Sequence, residues 1–332
     1  MTQVFPVKIL GIGTAEPRRI VTNDELEALC GLSEGWIWRK NGVRERRWIE
    51  EGETNSSLGA AASLQALDDA GLQWEDIDLI VNASGTSEQF IPDGAPLIQR
   101  ELGLGTSGIP CMSIHTTCLS FLFAMQVCTG LLETGLYQRI LVVTAEISSV
   151  GMNFQQPQSS TLFGDAATAV IFGQTPEGES SVIEAMRFET YGEGAPHTEV
   201  RGGGCRRHPN DERTTPEDNL FHMDGPAVLG MAAQYAGPFL ERLRPGLTQG
   251  LGDVDIVVPH QASKVALQVL EHFHWPASQI MKTLETRGNC IAASIPLTLI
   301  ESIRDGKLKR GQRCLAVGTG AGLSLGGVMF VY

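Results

Sequence analysis

The chain has 332 residues, 42% of them hydrophobic and 19% charged, with a formal net charge of −13. That is the composition of a globular protein with material for one large or two medium cores, and its acidity argues against a general nucleic-acid binder or a partner for an anionic membrane surface. No apolar run approaches the ~18 residues of a spanning helix, and Met1-Thr2-Gln3-Val4-Phe5-Pro6 lacks the basic and apolar regions of a secretory leader, so a cytoplasmic protein is expected. The seven cysteines are scattered and form no CxxC pair, which disfavours metal sites and disulfide frameworks and fits reduced thiols.

In chain order, Val7 to Gly13 reads as a first strand. Thr22-Asn23-Asp24-Glu25-Leu26 then opens a helix, with Thr22 or Asn23 as cap and Glu25 placed for a capping box. Trp36 to Trp48 is a basic, aromatic island in an acidic chain. It reads either as a solvated helix end or as a landing site for a phosphorylated, ring-bearing ligand. A small-residue helix starting at Leu58-Gly59-Ala60-Ala61-Ala62 leads to a strand at Asp76 to Val81 and the polar loop Asn82 to Thr86. The same order recurs downstream: Leu229-Gly230-Met231-Ala232-Ala233, then Asp253 to Val258, then Pro259-His260-Gln261-Ala262-Ser263. Arg139 to Val143 and Arg313 to Val317 match in turn. The pattern implies a duplicated α/β module, halves 1–173 and 174–332, whose equivalent strand ends converge on one site.

Between the matched strands of the first half, Pro110 to Ser113 resembles the end of a buried strand. From Cys118 onward there is no Gly or Pro until Gly130, and apolar residues recur at helical spacing. With Thr116 or Thr117 as cap, Cys118 falls in the first helical turn, where free N–H groups and the helix dipole lower a thiol's pKa and make it a nucleophile. A small core cysteine is the alternative. Ser159 to Val170 is a small-residue turn entering a strand, and Gly202 to Pro216 reads as a long surface loop able to gate a ligand. In the second half, His260 ends a buried strand, on the usual ligand edge of an α/β sheet. Asn289 lies in a Gly-Asn turn among small residues, and Gly318-Thr319-Gly320-Ala321-Gly322 could turn backbone N–H groups toward an oxyanion.

Taken together, these segments resemble the thiolase-fold condensing enzymes, specifically 3-oxoacyl-(acyl-carrier-protein) synthase III. The likeness spans Thr22 to Leu26, Trp36 to Arg46, the cysteine elbow, Leu162-Phe163-Gly164-Asp165, Val258-Pro259-His260-Gln261-Ala262, Gly288-Asn289 to Pro296 and the Gly-rich end. It implies a layered α-β-α-β-α fold with two mixed five-stranded sheets and a triad of Cys118, His260 and Asn289. By the same likeness the oxyanion is held by the backbone N–H groups of Cys118 and Ala321, coenzyme A lies near Trp36, Arg44 and Ser263, and Phe90 and Ile91 of a homodimer reach the partner's acyl tunnel. The implied reaction is decarboxylative Claisen condensation of an acyl-CoA primer with a malonyl thioester, expected on acyl carrier protein, through an acyl-Cys118 intermediate and with no cofactor beyond the thioester substrate. Acyl transfer or non-decarboxylative condensation by the same triad is the alternative.

Departures from the family pattern are Ser113 and Ser120 in place of the elbow's acid and glycine, Ser263 for asparagine, and Val265 where a basic residue is usual. His115, three residues before the cysteine, is expected to be a packed histidine.

Overall fold

The structure is a computed structural model and describes residues 4–250 and 253–332. Its first sheet has five strands in the order β1 (Val7–Ala15), β5 (Ala166–Gln174), β4 (Arg139–Glu146), β2 (Leu79–Asn82) and β3 (Cys111–Ser113). The second sheet has four, in the order β6 (Val182–Thr190), β9 (Ser324–Val331), β8 (Arg313–Gly320) and β7 (Ile256–Pro259). Orientations repeat as well as order. β2 and β7 run parallel to β4 and β8, which pair antiparallel with β5 and β9, which pair antiparallel with β1 and β6.

The second sheet therefore has one strand fewer than the resemblance implied. Where a counterpart of β3 would lie, Ile280 makes an isolated parallel bridge to Val257. The ladder stops there because buried Gln261 captures the following backbone: its Oε1 accepts from Thr283 N at 3.0 Å and Leu284 N at 3.1 Å.

Seven helices matter for the site: α1 (Asn23–Leu29), α2 (Trp36–Asn41), α3 (Asn55–Ala70), α4 (Ser120–Glu133), α5 (Gly225–Leu243), α6 (Lys264–Leu270) and α7 (Ser294–Arg304). Thr22 caps α1 through Glu25 N. α3 covers the outer face of the first sheet, where Leu58, Ala62 and Ala66 pack on Leu141, Val143 and Ile171. α5 covers the outer face of the second, with Phe239 and Leu243 against Leu315 and Met329. α4 and α7 lie between the sheets, and Leu122, Met125, Ile295 and Leu299 join Val142, Phe172, Ala316 and Phe330 in one core. Central strands covered on both faces read as continuous apolar runs, as β4 and β5 do.

A short crossing locks the two sheets' loops together. Asn289 N donates to Leu162 O at 2.9 Å and Gly164 N donates to Asn289 O at 3.1 Å. Gly288 is required there: its φ is +67°, and a Cβ would lie 2.5 Å from Leu162 O. Below the crossing, Arg46 of the basic island is fully buried and donates to Thr161 O, Asn23 Oδ1 and Val21 O. Burial lowers its pKa to about 10, with Glu27 and Glu45 opposing.

Candidate active site

Cys118 stands at the sheet-to-helix corner, though not as local sequence suggested. Its helix, α4, begins at Ser120, and Cys118 sits in a preceding 3-10 turn, Thr117–Leu119. Thr117 is held at φ +52°, a conformation β-branched residues rarely adopt. Neither threonine caps the turn. Ser120 closes it instead, its Oγ accepting from Thr116 N at 3.0 Å and donating to Thr117 O at 2.7 Å. The Oγ1 atoms of Thr116 and Thr117 are buried without partners.

The expected thiol acidity is also corrected. Burial pushes the Cys118 pKa up to about 12, and the Glu146 carboxylate acts in the same direction. The backbone N–H groups of Cys118 and Ala321 work against this rise, which places both donors at the sulfur. The resting group is a neutral thiol with an anion-stabilising pair of N–H groups around it.

His260 follows β7 and is 5% exposed; its backbone N–H donates to Val317 O at 2.8 Å. Burial lowers its pKa to about 4, so the imidazole is neutral at pH 7. Its Nδ1 is buried with no partner. Gln261 fixes the loop behind it, donating to Pro259 O at 2.9 Å. Asn289 is likewise 5% exposed. Its Oδ1 accepts from Ile291 N at 2.9 Å, which fixes the amide orientation, and its Nδ2 donates to Ala262 O at 3.3 Å with one N–H left over.

Cys118, His260, Asn289 and Ala321 all line one cavity of about 500 Å³. Its far walls are largely apolar, with Phe221, Met223, Val228 and Met231, and Thr198, Glu199 and Met223 of the two-stranded ribbon Thr198–Glu199/His222–Met223 also line it. His115 is exposed to this cavity rather than packed, and its Nδ1 lies 3.3 Å from Ser84 O.

The remaining candidates lie off the cavity wall. Trp36 is half-buried against Val21, Leu26, Ile37 and Trp48. Arg44 is exposed, paired with Glu285, and lies over the Trp38 ring at 4.4 Å. Ser263 caps α6, its Oγ accepting from Ala266 N at 3.2 Å. Phe90 and Ile91 are 80% and 78% exposed.

Glu146 was missed by sequence reasoning. It is fully buried at the end of β4 and accepts from Gly85 N at 2.5 Å and from Thr86 N and Oγ1, both at 2.9 Å. The available signal was an ionisable residue closing the apolar run Ile140 to Ala145.

Two family models match the chain. One is described as 3-oxoacyl-[acyl-carrier-protein (ACP)] synthase III, over residues 112–192, and the other as the C-terminal part of the same, over residues 248–332. The chain is 32% identical over 325 residues to a beta-ketoacyl-[acyl-carrier-protein] synthase III of Bacillus cereus, covering 97% of each. It is 31% identical over 319 residues to an acetoacetyl CoA synthase of a Streptomyces species, covering 96% of each. A crystal structure of 3-oxoacyl-[acyl-carrier-protein] synthase III from Aquifex aeolicus is similar with a TM-score of 0.86 at 29% identity, over 98% of this chain and all of that one.

Proposed function

The chain belongs to the 3-oxoacyl-[acyl-carrier-protein] synthase III family of condensing enzymes, and from that membership we propose that it joins an acyl-CoA primer to a malonyl thioester with loss of carbon dioxide. Its layered α-β-α-β-α fold is the thiolase-like fold of these enzymes. The observation that carries the reading is the opening of Cys118, His260, Asn289 and the Ala321 backbone onto one cavity.

In this reading the sulfur of Cys118 attacks the thioester carbonyl of the primer while its proton passes to neutral His260. The Cys118 and Ala321 N–H groups receive the oxyanion, and coenzyme A leaves as the thiol with that proton. A malonyl thioester then loses carbon dioxide, and its enolate oxygen accepts from His260 and from the free N–H of Asn289 Nδ2. The enolate carbon attacks the acyl-enzyme, the 3-oxoacyl thioester departs, and the Cys118 thiolate takes up a proton. Ping-pong kinetics follow, and no step requires a metal or redox cofactor.

Acyl carrier protein is the extender's carrier in the main reading. Delivery as a coenzyme A thioester is the second, favoured by the relative named for acetoacetyl CoA. Trp36, Arg44 and Ser263 would meet the coenzyme A end. Phe90 and Ile91, too exposed to be stable apolar surface on their own, would close the cavity of a second copy in a homodimer. The halves 1–173 and 174–332 act as the two copies of the module. Among the described residues no helix is long and apolar enough to cross a membrane, and a cytoplasmic setting fits the reduced cysteines.

The test is a panel of acyl-CoA primers from acetyl to long chain, read as added mass on Cys118, then chased with malonyl-carrier protein or malonyl-CoA. An adduct absent from Cys118→Ala and discharged by one extender supports the reading. No adduct across the panel, or the same adduct in Cys118→Ala, overturns it.

A further inference from the structure

Among the described residues, Glu146 is the one carboxylate with no solvent exposure, and the scheme above gives it no task. We propose that Glu146 is a positioning residue for that condensation: its carboxylate holds the Gly85–Thr86 wall of the cavity and the turn after Asn289 in place around Cys118. The inference rests on the proposed reaction for its purpose, but its geometry stands independently.

The carboxylate is satisfied entirely by donors. Gly85 N reaches Oε1 at 2.5 Å, and Thr86 N and Thr86 Oγ1 reach Oε2 at 2.9 Å. Thr86 Oγ1 has one proton and gives it to Glu146, because Asn55 Nδ2 and Ile147 N both donate to that oxygen. From the other sheet's side, the Ala292 N–H also favours the ionised form. What Glu146 grips is the point where both catalytic loops meet. A Cβ on Gly85 would lie 2.8 Å from Ile291 Cγ2 and 3.2 Å from Thr117 O. Gly85 is thus wedged between the residue before the nucleophile and the residue whose N–H orients Asn289. A shift of the wedge displaces Cys118 and Asn289 together, and a misplacement of an ångström is costly in catalysis.

Charge follows from the same placement. Burial pushes the Glu146 pKa up to about 8 against its four donors. Ionised Glu146 in turn disfavours a thiolate at Cys118 and at Cys290, which is itself pushed well up by burial. Asp165 pushes Cys290 in the same direction, and His115 faces the same wall through Ser84 O.

The experiment measures alkylation of Cys118 by iodoacetamide in the intact protein, mapped by mass spectrometry from about pH 6 to 10. In the wild type, log rate should climb with unit slope, bend downward near pH 8 as Glu146 ionises, then climb again. In Glu146→Gln the bend should vanish. Above it the variant should react about tenfold faster than wild type, a one-unit drop in apparent thiol pKa, while condensation measured in that same range falls at least tenfold because the amide presents an N–H to a backbone N–H that the carboxylate accepts. Thr86→Val keeps the charge and loses one donor, so it should retain a bend and lose condensation. An unbent wild-type profile, or a bend retained by Glu146→Gln, overturns the inference; so does a parallel fall of alkylation and condensation. Should Glu146→Gln not fold, the wild-type profile and Thr86→Val decide. Absence of any acyl adduct would sink the proposed reaction instead, since alkylation does not depend on it.

Discussion

The turn that carries Cys118 and the turn that follows Asn289 each begin with a β-branched residue at positive φ, Thr117 at +52° and Ile291 at +48°. Each is a single 3-10 turn, Thr117–Leu119 and Ile291–Ala293, running into a helix that starts with serine. Ser120 Oγ accepts from Thr116 N and Ser294 Oγ from Cys290 N, both at 3.0 Å. They differ in what the neighbouring strand end supplies. β8 ends at Gly320, and the next N–H, that of Ala321, meets the Cys118 sulfur. β4 ends at Glu146, and its carboxylate meets the N–H of Ala292, the residue in Cys118's place. One backbone device therefore yields a reactive corner where it meets a donor and a fixed wall where it meets an acceptor.

The contrast predicts effects of decreasing size. Cys118→Ala should lose the acyl adduct and lower condensation by about 10⁴-fold or more. A thiol moved to the other turn, in Cys118→Ala with Ala292→Cys, should restore neither, as measured by intact mass after incubation with acyl-CoA; restored acylation would mean that the strand ends do not set reactivity. Asn289→Ala should keep acylation of Cys118 and lower condensation by about 10²–10³-fold, the usual loss for one donor to a developing oxyanion. Equal loss of both steps in single-turnover assays would remove its separate role.

Acid stability should follow from His260. Its folded pKa, about 4, lies below its unfolded value, so the unfolded state binds a proton first. Stability is complete above pH ~6.5, declines as pH falls, and reaches a loss of roughly 3 kcal/mol near pH 4. Denaturant titrations of wild type and His260→Asn across that range check it, and equal slopes would refute it. Smallest, Thr117→Gly should stabilise by about 1 kcal/mol, since it relieves positive φ and removes an unpartnered buried hydroxyl. Ile291→Gly should not stabilise, because its side chain packs on Gly85. Melting temperatures separate the two.

Much of this architecture could be read along the chain. The matched helices and strands of the two halves appear where their spacing placed them, because periodicity and turn residues are local properties. The second sheet's missing fifth strand could not be read, since a side chain, Gln261, claims backbone N–H groups about twenty residues away. Arg46 looked like part of a solvated basic stretch and is buried under the loop crossing. His115 reversed expectation, open to the cavity where a packed side chain was expected.

Local spacing and residue type were enough to establish a duplicated α/β chain with a cysteine corner in front and a histidine and an asparagine behind. Only packing decided how those groups behave. Burial makes the thiol a weak acid where helix position alone argued for a strong one, ionised Glu146 adds to the effect, and burial keeps the imidazole neutral. Desolvation and charge depend on every atom within several ångströms, and most of those atoms come from residues far away in the chain.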